Sequence, residues 1–268
     1  MHTFSRSRLF HELRVFFTAL MFFTRLPCPS WVDHSEVYLN RSSRYFPLVG
    51  WIVGGCGASV LFVATLLLPI PIAVLLSMIA TILLTGAFHE DGFADMCDGF
   101  GGGWSKEQIL AIMQDSRLGT FGGCGLGLLL ALKFACLCAL AETYSILTCC
   151  FVLITAHAAS RFTAVTFLRT HVYARSESDS KAKPLATTIS IRGLLVAACT
   201  GFAPLALLWT TLTWKLMILL VPLVCTKWYI GRLCTRWIQG YTGDCLGATQ
   251  QVSETAMYLT AVCIAQLP

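Results

Sequence analysis

Between Phe46 and Leu68 the chain runs 23 residues without a charged side chain, and similar stretches recur along most of its length. In a bilayer, about 20 apolar residues wound as a helix cross the hydrocarbon core. In water the same runs would need a polar shell around them. Of 268 residues 56% are hydrophobic and 12% charged, with a mean hydropathy of +0.70; an ordinary soluble domain carries about 25% charged residues. There is too little charge to coat a water-facing surface, which excludes an ordinary soluble enzyme and a disordered chain. The expected fold class is all-α: a polytopic integral membrane protein forming a single membrane-embedded domain over residues 1–268.

The apolar runs place spans at Phe46–Leu68, Ile72–Phe88, Phe121–Leu140, Ile146–Phe167, Leu194–Thr213 and Leu216–Ile230, with a short seventh at Ala256–Pro268. Six to seven transmembrane helices are therefore expected. An N-terminal helix, Leu9–Phe23, should lie in the interface with Phe16, Phe17, Phe22 and Phe23 dipping into lipid. His11, Glu12 and Arg14 interrupt that run, so no cleavable signal peptide is expected. The polar segments 1–45, 89–120, 168–193 and 231–255 hold 15 of the 19 Lys and Arg residues, which puts them and the N-terminus on the cytoplasmic side of an inner membrane. The net charge of +5 is thus a topology signal, and nucleic acid is not an expected partner.

Thirteen cysteines form no C-x-x-C pair and mostly sit within apolar runs, where cysteine behaves as a small hydrophobe. Gly50, Gly54 and Ala58, and again Gly119, Gly123 and Gly127, recur every four residues, a spacing that lets two helix backbones approach closely. Gly101-Gly102-Gly103 lacks the ending of a phosphate-binding P-loop and reads as a hinge.

Only 14 residues are Asp or Glu, and four of them fall within nine positions: Glu90, Asp91, Asp95 and Asp98. At helical pitch Asp95 lies about 40° from Asp91, and Asp98 about 20° to its other side. Three carboxylates on one face repel one another unless a cation sits between them. Oxygen-only ligands favour a hard ion, Mg2+ or Mn2+, over zinc. A solvated acidic loop is the plain alternative.

Ser105-Lys106-Glu107-Gln108 has the pattern of a capping box opening a helix to Gln114. Asp115 and Arg117 follow, and an arginine just past an acidic metal site can hold a phosphate by paired hydrogen bonds. A third polar island runs from Thr242 through Asp244 to Ala248, with Glu254 beyond it. Within the spans His157, Ser160 and Arg161 share a stripe, and ionisable groups at that depth are costly and usually functional. Carboxylates, a hard metal, arginines and a membrane face together describe phosphoryl transfer involving an amphipathic substrate.

The motifs Phe22-Phe23-Thr24-Arg25-Leu26-Pro27, Phe46-Pro47-Leu48-Val49-Gly50 and Phe88-His89-Glu90-Asp91-Gly92-Phe93-Ala94-Asp95-Met96-Cys97-Asp98-Gly99 resemble the cobalamin synthase (adenosylcobinamide-GDP ribazoletransferase) family. So do Met113-Gln114-Asp115-Ser116-Arg117-Leu118-Gly119-Thr120, Ser160-Arg161, and Thr242-Gly243-Asp244-Cys245-Leu246-Gly247-Ala248 with Glu254. The resemblance covers nearly the whole chain. It implies the last step of cobalamin assembly: a hydroxyl of α-ribazole, or of its 5′-phosphate, attacks the cobinamide-linked phosphate of adenosylcobinamide-GDP and releases GMP.

By the same resemblance Mg2+ is the cofactor, and Asp91, Asp95 and Asp98 are metal and diphosphate ligands, one of them a general base. Glu90 is carried in the metal set, although relatives often have an apolar residue there, and Asp244 is a further metal or ribazole contact. Arg25, Arg117 and Arg161 become phosphate clamps, and His89, Asp115 and Thr242 substrate contacts. The expected partners are these two substrates and the lipid bilayer, with a homo-oligomer or a complex with other enzymes of the pathway left open.

Two other readings compete. A CDP-alcohol phosphatidyltransferase-like lipid enzyme shares the Asp-Gly-x-x-Ala start, but it wants Arg after the Ala, where this chain has Asp95. A cation transporter would place its acids near the bilayer midplane, whereas these fall at the cytoplasmic ends of spans.

Overall fold

Proline and glycine set many of the helix boundaries in the computed structural model, which describes residues 2–32, 35–175 and 186–266. The first helix, α1 (His2–Phe23), gives way to the Arg25-Leu26-Pro27 segment. A short α2 (Glu36–Ser42) leads through one tight turn into α3 (Phe46–Thr65), with Pro47 in its first turn, where the missing N–H costs nothing. Pro71 does the same for α4 (Ile70–Thr85).

The chain then turns sharply. Gly86 (φ 66°) and Ala87 (φ 59°) are both left-handed, and they set α5 (Phe88–Gly102) at 88° to α4. The acidic segment is therefore helical, as its spacing predicts, but it lies across the end of α4 and does not continue the span. Gly101 and Gly102 close α5 as helical residues, and Gly103 follows in an extended conformation. Ser105 accepts a hydrogen bond from the Gln108 N–H and opens α6 (Lys106–Ile112).

Two long helices follow, α7 (Thr120–Thr143) and α8 (Ile146–Val165), then the single turn α9 (Phe167–Thr170). Residues 176–185, which hold most of the polar loop that follows, lie outside the described residues. Beyond them, α10 (Ile191–Phe202) breaks into tight turns at Pro204 and α11 (Trp209–Leu212) before α12 (Leu216–Ile238). Last comes α13 (Gly243–Ala265), capped by the Thr242 hydroxyl. Among the described residues the only bridge pairing joins Tyr173 to Tyr241.

Among the described residues four helical stretches are long and apolar enough to cross a membrane: Glu36–Thr65, Thr120–Thr143, Ile146–Thr170 and Ile191–Ile238. The bent pair α4 and α5 makes a fifth if counted as one span. This is a multi-pass helical membrane protein. The runs at 194–213 and 216–230 both fall within the 48-residue stretch Ile191–Ile238, long enough for two crossings, and the described part of the short run at Ala256–Pro268 is the second half of the 23-residue α13.

Helix α8 sits at the centre, with 72% of its apolar window buried. It packs on α3 where the small-residue stripe predicts. A side chain at Gly50 would collide with the His157 carbonyl oxygen, and a methyl at Gly54 would sit 2.8 Å from Ile154 Cα. The second stripe works differently. Gly127 has open space around it, and α7 meets α5 through Gly122 and Gly125, against Asp98 and Cys97.

Phe22 and Phe23 also depart from expectation. Val15, Ala19 and Phe23, one face of α1, are buried, and Phe23 packs edge-on to Phe46 at 4.4 Å. Helix α1 thus turns this end toward protein, where aromatic contact replaces lipid contact.

Candidate functional site

Backbone proximity builds the site. At Gly92 an added methyl would stand 3.0 Å from Asp244 Cα, and Gly247 approaches His89 and Gly92 in return. With no side chains between them, the start of α13 lies directly on α5. This brings Asp244 to the acidic face from a region far away in sequence.

Asp91 is exposed and Asp95 half-buried. Burial, then the charges of Asp244, Asp91 and Asp98, push the Asp95 carboxyl up to about 7, with Arg175 opposing. Burial also raises Asp244, against the pull of Arg175 and the Thr242 hydroxyl. Arg175 Nη2 donates to Asp244 Oδ2 at 3.0 Å, and Thr242 Oγ1 donates to the same oxygen at 3.2 Å. Arg175 was not legible as a site residue. It belongs to a polar loop and meets Asp244 across 69 positions.

Asp98 is engaged elsewhere. Its two oxygens accept the N–H groups of Gly119 (2.7 Å) and Gly122 (2.8 Å), anchoring the start of α7. Asp98, Asp115 and Arg117 line one groove of about 440 Å3. Arg117 is 86% exposed and forks onto Asp115, with Nε 3.0 Å from Oδ1. Arg25 is exposed, its guanidinium packed over Gly86 at the bend before α5.

Glu90 faces the opposite way from Asp91. It is buried, Oε1 accepting from Gln251 Nε2 at 2.8 Å and Oε2 without a partner. It opens a polar network through the bundle that the sequence only hinted at. Glu254 is 1% exposed; its Oε1 lies 2.8 Å from Lys133 Nζ and its Oε2 3.0 Å from His157 Nδ1. Lys133 also donates to Gln251 Oε1 at 2.7 Å. Arg161, 2% exposed, donates from Nη1 to the His157 carbonyl at 2.9 Å.

His89 is buried and stacks on Phe23 at 5.3 Å. With Arg161 and Gln250 it lines a narrow cavity walled by Phe22, Phe23, Phe46 and Phe88, beside Gly243 and Gly247.

No three acidic, histidine or cysteine side chains converge on one point among the described residues. The donor chemistry nevertheless suits a hard divalent cation at Asp91, Asp95 and Asp244. All their ligand atoms are oxygen, and crowded negative charge with burial holds Asp95 far above its ordinary value, a cost that a cation removes.

The profile of the CobS family, cobalamin-5-phosphate synthase, matches residues 15–262. The chain belongs to that family. Among its relatives, an adenosylcobinamide-GDP ribazoletransferase from Leptothrix cholodnii is 45% identical over 258 residues, 94% of this chain and 96% of the relative. The protein of that name from Shewanella frigidimarina is 43% identical over 253 residues, 94% and 95% of the two chains. A third, from Shewanella amazonensis, is 44% identical over 259 residues, 97% and 96%. No solved structure matches.

Proposed function

We propose that this chain catalyses the final step of cobalamin nucleotide-loop assembly. In this reading it joins adenosylcobinamide-GDP to α-ribazole, or its 5′-phosphate, and releases GMP. Mg2+ is the cofactor, and the site faces the cytoplasm from an inner membrane. The observation that carries the proposal is the close approach of the start of α13 to Gly92, which brings Asp244 beside the acidic helix α5, itself set at 88° to α4. Family membership and the gathering of Lys and Arg in segments 1–45, 89–120, 168–193 and 231–255 support it.

Asp91, Asp95 and Asp244 would hold the ion. Bound there, Mg2+ would neutralise the diphosphate and the departing GMP oxygen. One aspartate of the cluster, left free of the ion, would receive the proton of the attacking ribazole hydroxyl. The hydroxyl oxygen bonds to the cobinamide-linked phosphorus as the bond from that phosphorus to the GMP oxygen breaks. Arg25 and Arg117, both exposed, would reach the diphosphate, Arg117 by exchanging its fork on Asp115 for it. Asp98 acts by seating α7 beside them.

The test is purified protein with adenosylcobinamide-GDP and α-ribazole, first with Mg2+ and then with EDTA, following GMP. Mg2+-dependent release supports the reading. Turnover of CDP-diacylglycerol with an alcohol in its place would favour the lipid-enzyme alternative.

A further inference from the structure

One face of α12 is exposed along most of its length. Met217, Val221, Val224 and Trp228 follow one another at three- or four-residue steps, each more than half exposed. The same stripe continues into Arg232 and Arg236, also exposed. Its chemistry therefore changes once, from apolar through an indole to cationic. Tryptophan favours the headgroup level of a bilayer, so the arginines stand where the hydrocarbon gives way to polar surroundings.

At this cationic end the stripe borders an open groove of about 660 Å3, with His171 on its other side. Gly231 makes that approach close: a methyl there would stand 2.9 Å from His171 Nε2. Lys227 is pinned in the groove. Its Nζ donates to Thr170 Oγ1 at 2.7 Å, lies 3.2 Å from His171 Nδ1 and sits 3.4 Å over the centre of the Phe167 ring. These contacts fix the ammonium without neutralising it. Among the described residues no carboxylate lines the groove, and no ion pair holds Lys227, Arg232 or Arg236. Cations gathered without a counter-charge repel one another, and an anion placed among them removes that cost.

We infer that this groove binds an anionic phospholipid, its phosphate held by Lys227, Arg232 and Arg236 and an acyl chain lying along Val224, Val221 and Met217. The inference stands apart from the transfer reading above. Lys227 and Arg232 are about 8 Å apart along the helix axis, a span that two long side chains close onto one phosphate, with Arg236 a turn further on. Arginine holds phosphate oxygens by paired hydrogen bonds, and basic pockets at a membrane surface take acidic headgroups. A lipid is favoured over a free phosphate ion because the apolar part of the stripe runs directly into the groove at Val224, and a soluble anion would leave it unused. A phosphatidylcholine headgroup would add its own positive charge to the cations already there.

The experiment titrates purified protein in dodecyl maltoside with dioleoyl phosphatidylglycerol or dioleoyl phosphatidylcholine, counts bound lipid by native mass spectrometry, and adds inorganic phosphate as a competitor. Wild type is compared with Arg232→Gln/Arg236→Gln and with Arg192→Gln, an exposed arginine on α10 that serves as control. Thermal unfolding without lipid checks that each variant folds; should the double variant fail, the two single variants replace it. The expected result is saturable retention of phosphatidylglycerol over phosphatidylcholine by wild type. Its affinity should fall at least about tenfold in the double variant, or about threefold in each single one, and less than about twofold in Arg192→Gln. Equal retention of the two lipids by wild type, or unchanged affinity in the folded groove variants, would overturn the inference. So would an equal loss in Arg192→Gln, which would reduce the effect to diffuse charge. Displacement of the lipid by an equal concentration of inorganic phosphate would assign the groove to a soluble anion, with the same consequence.

Discussion

Lys133 on α7 and Glu254 on α13 meet at 2.8 Å, with side-chain exposures of 8% and 1%. Glu254 also takes His157, Gln250 and Tyr258 as partners, so three helices are joined through one carboxylate. Removing one member of a buried pair leaves an uncompensated charge, which costs about 3–5 kcal/mol. Lys133→Met should therefore destabilise strongly, and Lys133→Met with Glu254→Gln should recover much of the loss. Thermal unfolding of the four proteins in one detergent measures it; strict additivity would contradict the coupling.

Asp91→Asn and Asp95→Asn should leave the unfolding temperature within a few degrees of wild type, since neither side chain is fully buried. Each should lower Mg2+-dependent GMP release by at least about a hundredfold, the low end of what a general base contributes. Full turnover by either variant would remove that residue from the chemistry.

The Asp95 carboxyl, raised to about 7, gives stability a definite slope with pH. An unfolded aspartate loses its proton near 3.9. Between about 4 and 7 the folded protein therefore holds more protons than the unfolded chain, and this group's contribution to stability falls as pH rises through that window. In EDTA the unfolding temperature should drop from pH 5 to pH 8. Mg2+ should restore more at pH 8 than at pH 5, because below 7 it competes with a proton. An equal Mg2+ effect at both values would argue against Asp95 as a ligand.

Arg117→Ala should weaken use of adenosylcobinamide-GDP more than use of α-ribazole. Arg117 would hold the diphosphate, and it shares its groove with Asp98 and Asp115. Separate Michaelis constants test this, and equal losses would point to a structural role.

Gly50→Leu should destabilise by about 1–3 kcal/mol through overpacking, since it would force α3 away from the His157 carbonyl. Gly127→Ala faces open space and should be neutral or slightly stabilising, as alanine favours a helix. Unfolding curves in detergent separate the two.

Local spacing was legible and long-range company was not. The helical register of Asp91, Asp95 and Asp98 and the Gly50-Gly54 seam follow from periods of 3.6 and 4, which a single strand of sequence displays. The Gly119-Gly123-Gly127 stripe has the same period, but of its members only Gly119 meets α5, together with Gly122 and Gly125, because Asp98 draws the start of α7 onto α5. Lys133 lies inside an apolar span, and its partner Glu254 lies in a segment that read as an extramembrane polar stretch. The bend at Gly86-Ala87 was hidden for another reason: Ala87 adopts a left-handed conformation that its residue type does not announce.

Asp98 bears on how mutational scans of this protein are read. It serves as a doorstop, its two oxygens wedged under the leading amides of a 24-residue helix. An alanine scan along the acidic segment would report an inactive protein at Asp98 and at Asp95 alike, the first from a slipped helix and the second from missing chemistry. Asparagine keeps one acceptor for the Gly119 or Gly122 amide, so it is the replacement that tells the two apart.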